Sequence, residues 1–577
     1  MVKRPERKDF ISDLIVFLIY TAGIITVTAF HELGFDECQA WLIAKSAPYK
    51  DILTYIPHYE GHPPLWHLIL SVFAKNGAPP DLTLKAVNTV FSAGAMALLI
   101  FRSPFPKIVR RLLPFNFYFF YQYGVLSRPY SLAMLVFFLL AITYKDRNTQ
   151  PWRYILSMAL LCLVSAYGIM LAGGLCIAWT IEIISELVRN RKLKLFWQDK
   201  RFYSLCFILV TAAVLIMLII PADDCYYTGI EDKTPFLKRL TVLANYKRLA
   251  EMPFDSWSGL LVGNYAVESN TMLEIAEILC GTAMWALISA VAVKNRKFLT
   301  FFLPYIFMTG FMAFKYVFIH HLGMGTLFHV FIFWIMAEQE GGIAIPDFLK
   351  KLNKKISSPL IRKTAIGAGA LVCLAPIAYS GIASVSDITK NYGLGCIADI
   401  IRDNHLENTN IMALWKVEYE ADETGEKNDP YIFKVLEIPS EHMPVKENYT
   451  YLMGAAAMIQ TYFDENIFMN YNADCPDDLY MHYKYKEDTE AVFAKWREKG
   501  LPDFIVGYCP VDEVYDEQTL EGVRYLPVKL IEHHTFYKVI SEEGITRFYI
   551  REDLMDDYPQ FEWADDQTGN VFERKDS

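Results

Sequence analysis

Charge is scarce in this chain. Of its 577 residues only 21% are Asp, Glu, Lys or Arg, while 53% are hydrophobic and 15% aromatic. With a mean hydropathy of +0.20, that balance excludes an ordinary soluble domain of this length and points to a membrane protein. The ten cysteines form no CxxC and no regular spacing, which excludes a disulfide framework and a dedicated zinc site. Cys162, Cys176, Cys206, Cys280 and Cys373 lie in apolar runs and read as small core residues. No clustered basic face is present, so nucleic acid is not an expected partner. Internal repeats are lacking as well, and the tail has neither a glycine-rich phosphate loop nor a nucleophile elbow.

What is present divides in two. Apolar runs such as Leu14 to Phe30, Phe202 to Ile220 and Ala365 to Ser380 approach the ~20 residues that a membrane helix needs. From about Val385 onward there is no such run. Residues 385–577 carry 40 Asp and Glu against 18 Lys and Arg, a net charge of −22, which leaves +12 on residues 1–384. The expected organisation is a basic membrane domain over 1–384, with a first outer loop over about 31–82, and an acidic α/β domain over 385–577.

The basic residues set an expected topology, because short cytoplasmic loops retain Lys and Arg. The start MVKRPERK precedes a long apolar run without a small-residue cleavage step, so it reads as an uncleaved anchor with its N-terminus inside. If Pro64 to Lys75 does not cross, every strongly basic loop falls on the cytoplasmic side. The remaining spans are then about Leu84 to Phe101, Leu112 to Val125, Ser131 to Tyr144, Tyr154 to Gly168, Ile169 to Ile184 and Phe202 to Ile220. Four more follow, at about Ile275 to Val293, Phe298 to Phe318, Met324 to Ala337 and Ala365 to Ser380. The fold class is thus a polytopic α-helical membrane protein of about eleven spans with an extracytoplasmic C-terminal domain. In that domain CIADIIRDNHL, MGAAAMIQTYF and TEAVFAKWREKG read as helices and NIMALW and PDFIVGY as strands. KLIEHHTFYKVI and ITRFYIRED read as a closing hairpin.

The chain is organised around Phe35 to Trp66, which runs from FDECQAW to YEGHPPLW. An acidic pair, Asp36 and Glu37, follows the first apolar span. His58, Glu60 and His62 come before the rigid step Pro63-Pro64. A solvated acidic pair capping a helix is the plain reading of Asp36 and Glu37. Their company weighs against it, because Lys85, Arg128, His320 and His321 are all expected on the same outer face. Carboxylates and cations together suit transfer to a hydroxyl or amine, with the base taking a proton and the cations holding an expelled phosphate. Lys85 opens the second span, where snorkelling is the plain alternative. In SRPY, Pro129 constrains the direction of Arg128, whose guanidinium suits a lipid phosphate. His320 and His321 sit in HHLGMG, read as a turn between spans. A divalent metal is compatible with these residues, but no spacing is dedicated to one.

This layout resembles the GT-C fold membrane glycosyltransferases, on FDECQAW, GHPPLW, LTLKAVNTVFSAG and SRPYSLAML. Protein O-mannosyltransferases, lipid A aminoarabinose transferases and the catalytic subunit of oligosaccharyltransferase share that plan. The resemblance covers roughly residues 10–340. It implies a polyprenyl-phosphate-sugar donor, with Asp36 as base beside Glu37. It also implies phosphate binding at His62 and Lys85; the residues themselves add Arg128 to that set, with His58, Glu60, His320 and His321 as substrate-contacting candidates. Arg128 stands where oligosaccharyltransferase has a second acidic motif, which argues against that subfamily. The expectation is an inverting transferase in the cytoplasmic membrane, using a lipid-linked sugar and a glycan, lipid or protein acceptor. The alternative is a transporter or scaffold for lipid-linked saccharides; transporters tend to carry internal repeats and mid-membrane polar residues.

Overall fold

The computed structural model describes residues 7–222, 225, 243–258, 271–314, 317–355, 359–389, 394–413, 454–470, 477–483, 498–507, 522–528 and 547–561. The chain separates into two compact units that do not follow chain order. One comprises Met1–Ala29, Lys85–Ile220 and Thr234–Val385; the other comprises Phe30–Leu84, Pro221–Lys233 and Ser386–Ser577. The loop that follows the first helix is therefore grouped with the tail.

The first unit is a helical bundle. Six described helices are long and apolar enough to cross a membrane: Lys8–Phe30, Pro80–Arg102, Ala166–Arg189, Lys200–Ile219, Glu274–Lys294 and Ile319–Ala337. Tyr130–Tyr144, Pro151–Val164 and Phe298–Phe314 are apolar but shorter. A further helix, Pro359–Thr389, runs through the last expected span. The expected span from Leu112 to Val125 is not one helix. It consists of a short 3-10 turn at Leu113–Phe115 and a π-helix at Phe117–Gln122. Asn116 adopts an extended conformation between them and caps the second piece by accepting from the Phe119 N–H, so the helical ladder is interrupted there.

Ile319–Ala337 is the central helix, buried from His320 to Met336 except at Phe333. Phe138 stacks on Trp334 at 5.8 Å, Phe301 on Phe328 at 6.2 Å, and Trp257 Nε1 donates to His329 Nδ1 at 3.1 Å. The first helix, by contrast, exposes Ile11, Leu14, Ile15, Leu18, Ile19 and Ile25, a surface suited to lipid. Its polar start is tied down. Asp13 pairs with Arg110 and, at 2.8 Å, with Arg111, while Asp9 meets Lys107 at 2.6 Å. Of the cysteines read as core residues, Cys162 and Cys176 are buried, but Cys280 is exposed.

In the second unit, Phe35–Ser46 is the principal helix. Tyr49–Thr54 and Ile56–Glu60 follow as short turns of helix, and Gly61 ends the latter with φ 64°, a left-handed geometry that glycine takes without strain. Leu65–Ala74 then forms a ten-residue helix of about 15 Å, half the depth of a bilayer core. Leu42, Ile43, Ala47, Ile52 and Ile56 of the loop share one core with Ala457, Leu479 and Tyr480 of the tail. The tail also carries helices Leu394–Asp403 and Gly454–Gln460 and a sheet ordered β1-β2-β4-β3. Strand β1 (Ile411–Ala413) runs parallel to β2 (Phe504–Gly507), and β4 (Arg547–Arg551) lies antiparallel between β2 and β3 (Tyr525–Pro527). ITRFYIRED is thus a central strand. Its expected partner KLIEHHTFYKVI, and most of TEAVFAKWREKG, lie outside the described residues.

Candidate active site

The loop's acids separate at the first turn of helix Phe35–Ser46. Asp36 is exposed, whereas Glu37 turns inward and is 2% exposed. Glu37 Oε2 accepts from the Gly34 N–H at 2.7 Å, closing the helix start, and meets His31 Nε2 at 2.9 Å. The other ring nitrogen, His31 Nδ1, lies 2.9 Å from Asp387 Oδ2. With an acid oxygen at each nitrogen, the doubly protonated imidazolium satisfies both. Burial opposes that charge, but Glu37 and then Asp387 outweigh it, raising the His31 pKa to about 10. This buried node ties the loop to the start of the tail. Glu37, expected beside Asp36 as half of an acidic pair, is instead engaged in structure.

A second node lies two residues further along the helix. Gln39 Nε2 donates to Glu60 Oε1 at 2.9 Å and to the Met481 carbonyl at 2.8 Å, while Gln39 Oε1 accepts from the Met481 N–H at 2.8 Å. Burial pushes the Glu60 pKa up to about 8. The Gln39 hydrogen bond works against that shift and the charge of Asp36 adds to it. Near neutral pH Glu60 therefore keeps its proton within electrostatic reach of Asp36. Two carboxyls in unlike environments are the arrangement that separates acid and base roles.

His58 and His62 flank Glu60 and are half-buried, and the His58 carbonyl accepts from the Ala222 N–H at 3.4 Å. Lys75 Nζ donates to the Lys45 and Ala47 carbonyls at 3.2 and 2.6 Å. It thereby closes the far end of the principal helix.

Arg128, Lys85, His320 and His321 belong to the bundle unit. Arg128 is 8% exposed. Its Nη2 lies 3.4 Å from His320 Nε2 and its guanidinium 5.5 Å from the centre of the Tyr130 ring. HHLGMG is not a turn: His320 and His321 occupy the first turn of helix Ile319–Ala337. His321 Nδ1 caps that turn by accepting from the Phe318 N–H at 2.9 Å. The Tyr123 hydroxyl donates to the His320 carbonyl at 2.6 Å. Gly323 is required because a Cβ there would run into Tyr123 and Tyr118. Lys85 is half-buried, in the second turn of helix Pro80–Arg102. Among the described residues no group of three His, Cys, Asp or Glu side chains is arranged to hold a metal ion.

Within its own unit, each cluster adds residues that sequence reasoning had passed over: His31, Gln39 and Asp387 in one, Tyr123 and Tyr130 in the other. Gln39 stands inside FDECQAW, but its importance comes from Met481, 442 positions away. No local pattern carries that. Compared with known protein families, curated proteins and solved structures, the chain matches none.

Proposed function

We propose that this protein is an inverting membrane glycosyltransferase of GT-C type that uses a sugar linked to polyprenyl phosphate. The observation that carries the reading is the exposed Asp36 carboxyl beside Glu60, a carboxyl that retains its proton, on a helix braced from both ends. Asp36 takes the proton of the acceptor hydroxyl as its oxygen bonds to the anomeric carbon. The bond from that carbon to the carrier phosphate breaks on the opposite side, and polyprenyl phosphate leaves with the electron pair. A neutral Glu60 adds no negative charge beside Asp36. Arg128, with His320 beside it, is assigned to the leaving phosphate, since a guanidinium matches phosphate oxygens; Lys85 and His62 are assigned the same work.

The Lys and Arg of the N-terminal stretch and of the short loops between helices support a cytoplasmic N-terminus and reaction at the outer face. Asp36→Asn is expected to lower transfer by about 10²–10⁴-fold, the usual worth of a positioned base. Mass spectrometry of cell-envelope glycans from cells with the chain, without it and with the variant reads the outcome, with membrane insertion checked in parallel. Unchanged glycans with the variant would sink the mechanism and favour a transporter or scaffold.

A further inference from the structure

One of the joints between the tail and the acidic loop is at Gln39. All three hydrogen bonds of its side-chain amide are spoken for: two go to the backbone of Met481 and one to Glu60. Gln39 itself is 2% exposed, so its orientation is set by the tail rather than by solvent. A primary amide has two donors and one acceptor group. Once Met481 has taken one donor and the carbonyl, the remaining N–H can point in one direction only, and that direction is Glu60. The neighbouring joints are of the same kind: Leu479 N–H donates to Ser46 Oγ at 3.2 Å, and Leu479 and Tyr480 enter the loop's apolar core.

We propose that Gln39 is a positioning residue through which the C-terminal domain, gripping it at Met481, orients the Glu60 carboxyl beside Asp36. The acidic domain is then a working part of the loop's acid site and not a separate binding module. This rests on the reading of Asp36 and Glu60 as a reaction site. The charged group that bears on Glu60 from the facing helix is Asp36. His58 and His62 flank it on its own segment, and in the tail segment beside Met481 the charges are those of Asp478 and His482, paired at 3.0 Å.

The test uses the full chain in detergent and dicyclohexylcarbodiimide, an apolar reagent that adds to protonated carboxyls. Labelling of Glu60, located by peptide mass spectrometry, is followed against pH, with Glu60→Gln as the blank. In the parent protein the midpoint is expected near pH 8. In Gln39→Met, which keeps the shape but donates nothing, the midpoint should rise by roughly one pH unit, because the hydrogen bond favoured the ionised form. Gln39→Asn retains the amide but is too short to reach both partners, and should shift it the same way if the Met variant does not fold. An unmoved midpoint in either folded variant overturns the proposal. Transfer from a radiolabelled polyprenyl-phosphate hexose, measured on the same samples, keeps the two questions apart. A moved midpoint with unaltered transfer supports the positioning role and removes Glu60 from the reaction, whereas an unmoved midpoint leaves Asp36 as base unaffected.

Discussion

The first turn of helix Phe35–Ser46 buries Glu37 against the tail, while its second turn reaches the partly exposed Glu60 through Gln39, with opposite results. At Glu37 a full positive charge is supplied: His31 stands between Glu37 and Asp387 and stays protonated to about pH 10. At Glu60 the partner is a neutral amide, and the carboxyl meets its burial by keeping a proton up to about pH 8. A buried charge that is fully answered makes a joint, whereas one answered only in part makes a group able to exchange protons.

Breaking the charged node should have the largest effect on stability. His31→Leu leaves two buried acid groups facing each other, with an expected loss of about 3–5 kcal/mol, read from chemical unfolding of the purified protein. A loss below about 1 kcal/mol would remove the joint from the account of how loop and tail are held. pH separates the nodes next. The folded pKa of His31 is raised, so its stabilisation is complete below about pH 6.5 and fades as pH climbs to about 10. The folded pKa of Glu60 is raised too, but for an acid this means the folded state holds the extra proton. Stability therefore falls between about pH 4.5 and 8. Thermal unfolding midpoints across pH should show both declines, with Glu60→Gln erasing the lower window and His31→Gln the upper. If Glu60→Gln leaves the lower window in place, that carboxyl does not hold the extra proton of the folded state. The smallest effect belongs to the surface joint of Lys45 with Asp464, at 2.7 Å with Asp464 almost fully exposed. Lys45→Ala should cost less than about 1 kcal/mol, and a larger cost would mean that loop and tail are held by their rim.

Much of the architecture could be read from local pattern. Helix Leu394–Asp403 lies within CIADIIRDNHL, helix Gly454–Gln460 within MGAAAMIQTYF, and strand Phe504–Gly507 within PDFIVGY, because period and composition are short-range properties. The break inside Leu112 to Val125 was harder to see. Its composition is apolar throughout, and the interruption depends on the extended backbone and cap of Asn116. HHLGMG misled for a related reason. It was read as a turn between spans, yet Gly323 sits within a helix, where Tyr118 and Tyr123 leave no room for a side chain.

Composition alone marked a chain with helices long and apolar enough to cross a membrane and with an acidic tail, since lipid demands long apolar helices whatever surrounds them. Order along the chain also singled out Phe35 to Trp66, where acids, histidines and prolines crowd together. The division of labour among those acids came from folding. Which carboxyl is exposed, which meets an imidazolium and which keeps its proton depends on Asp387 and Met481, hundreds of residues away. Charge, burial and hydrogen bonding act through space, and sequence spacing carries no measure of such distances.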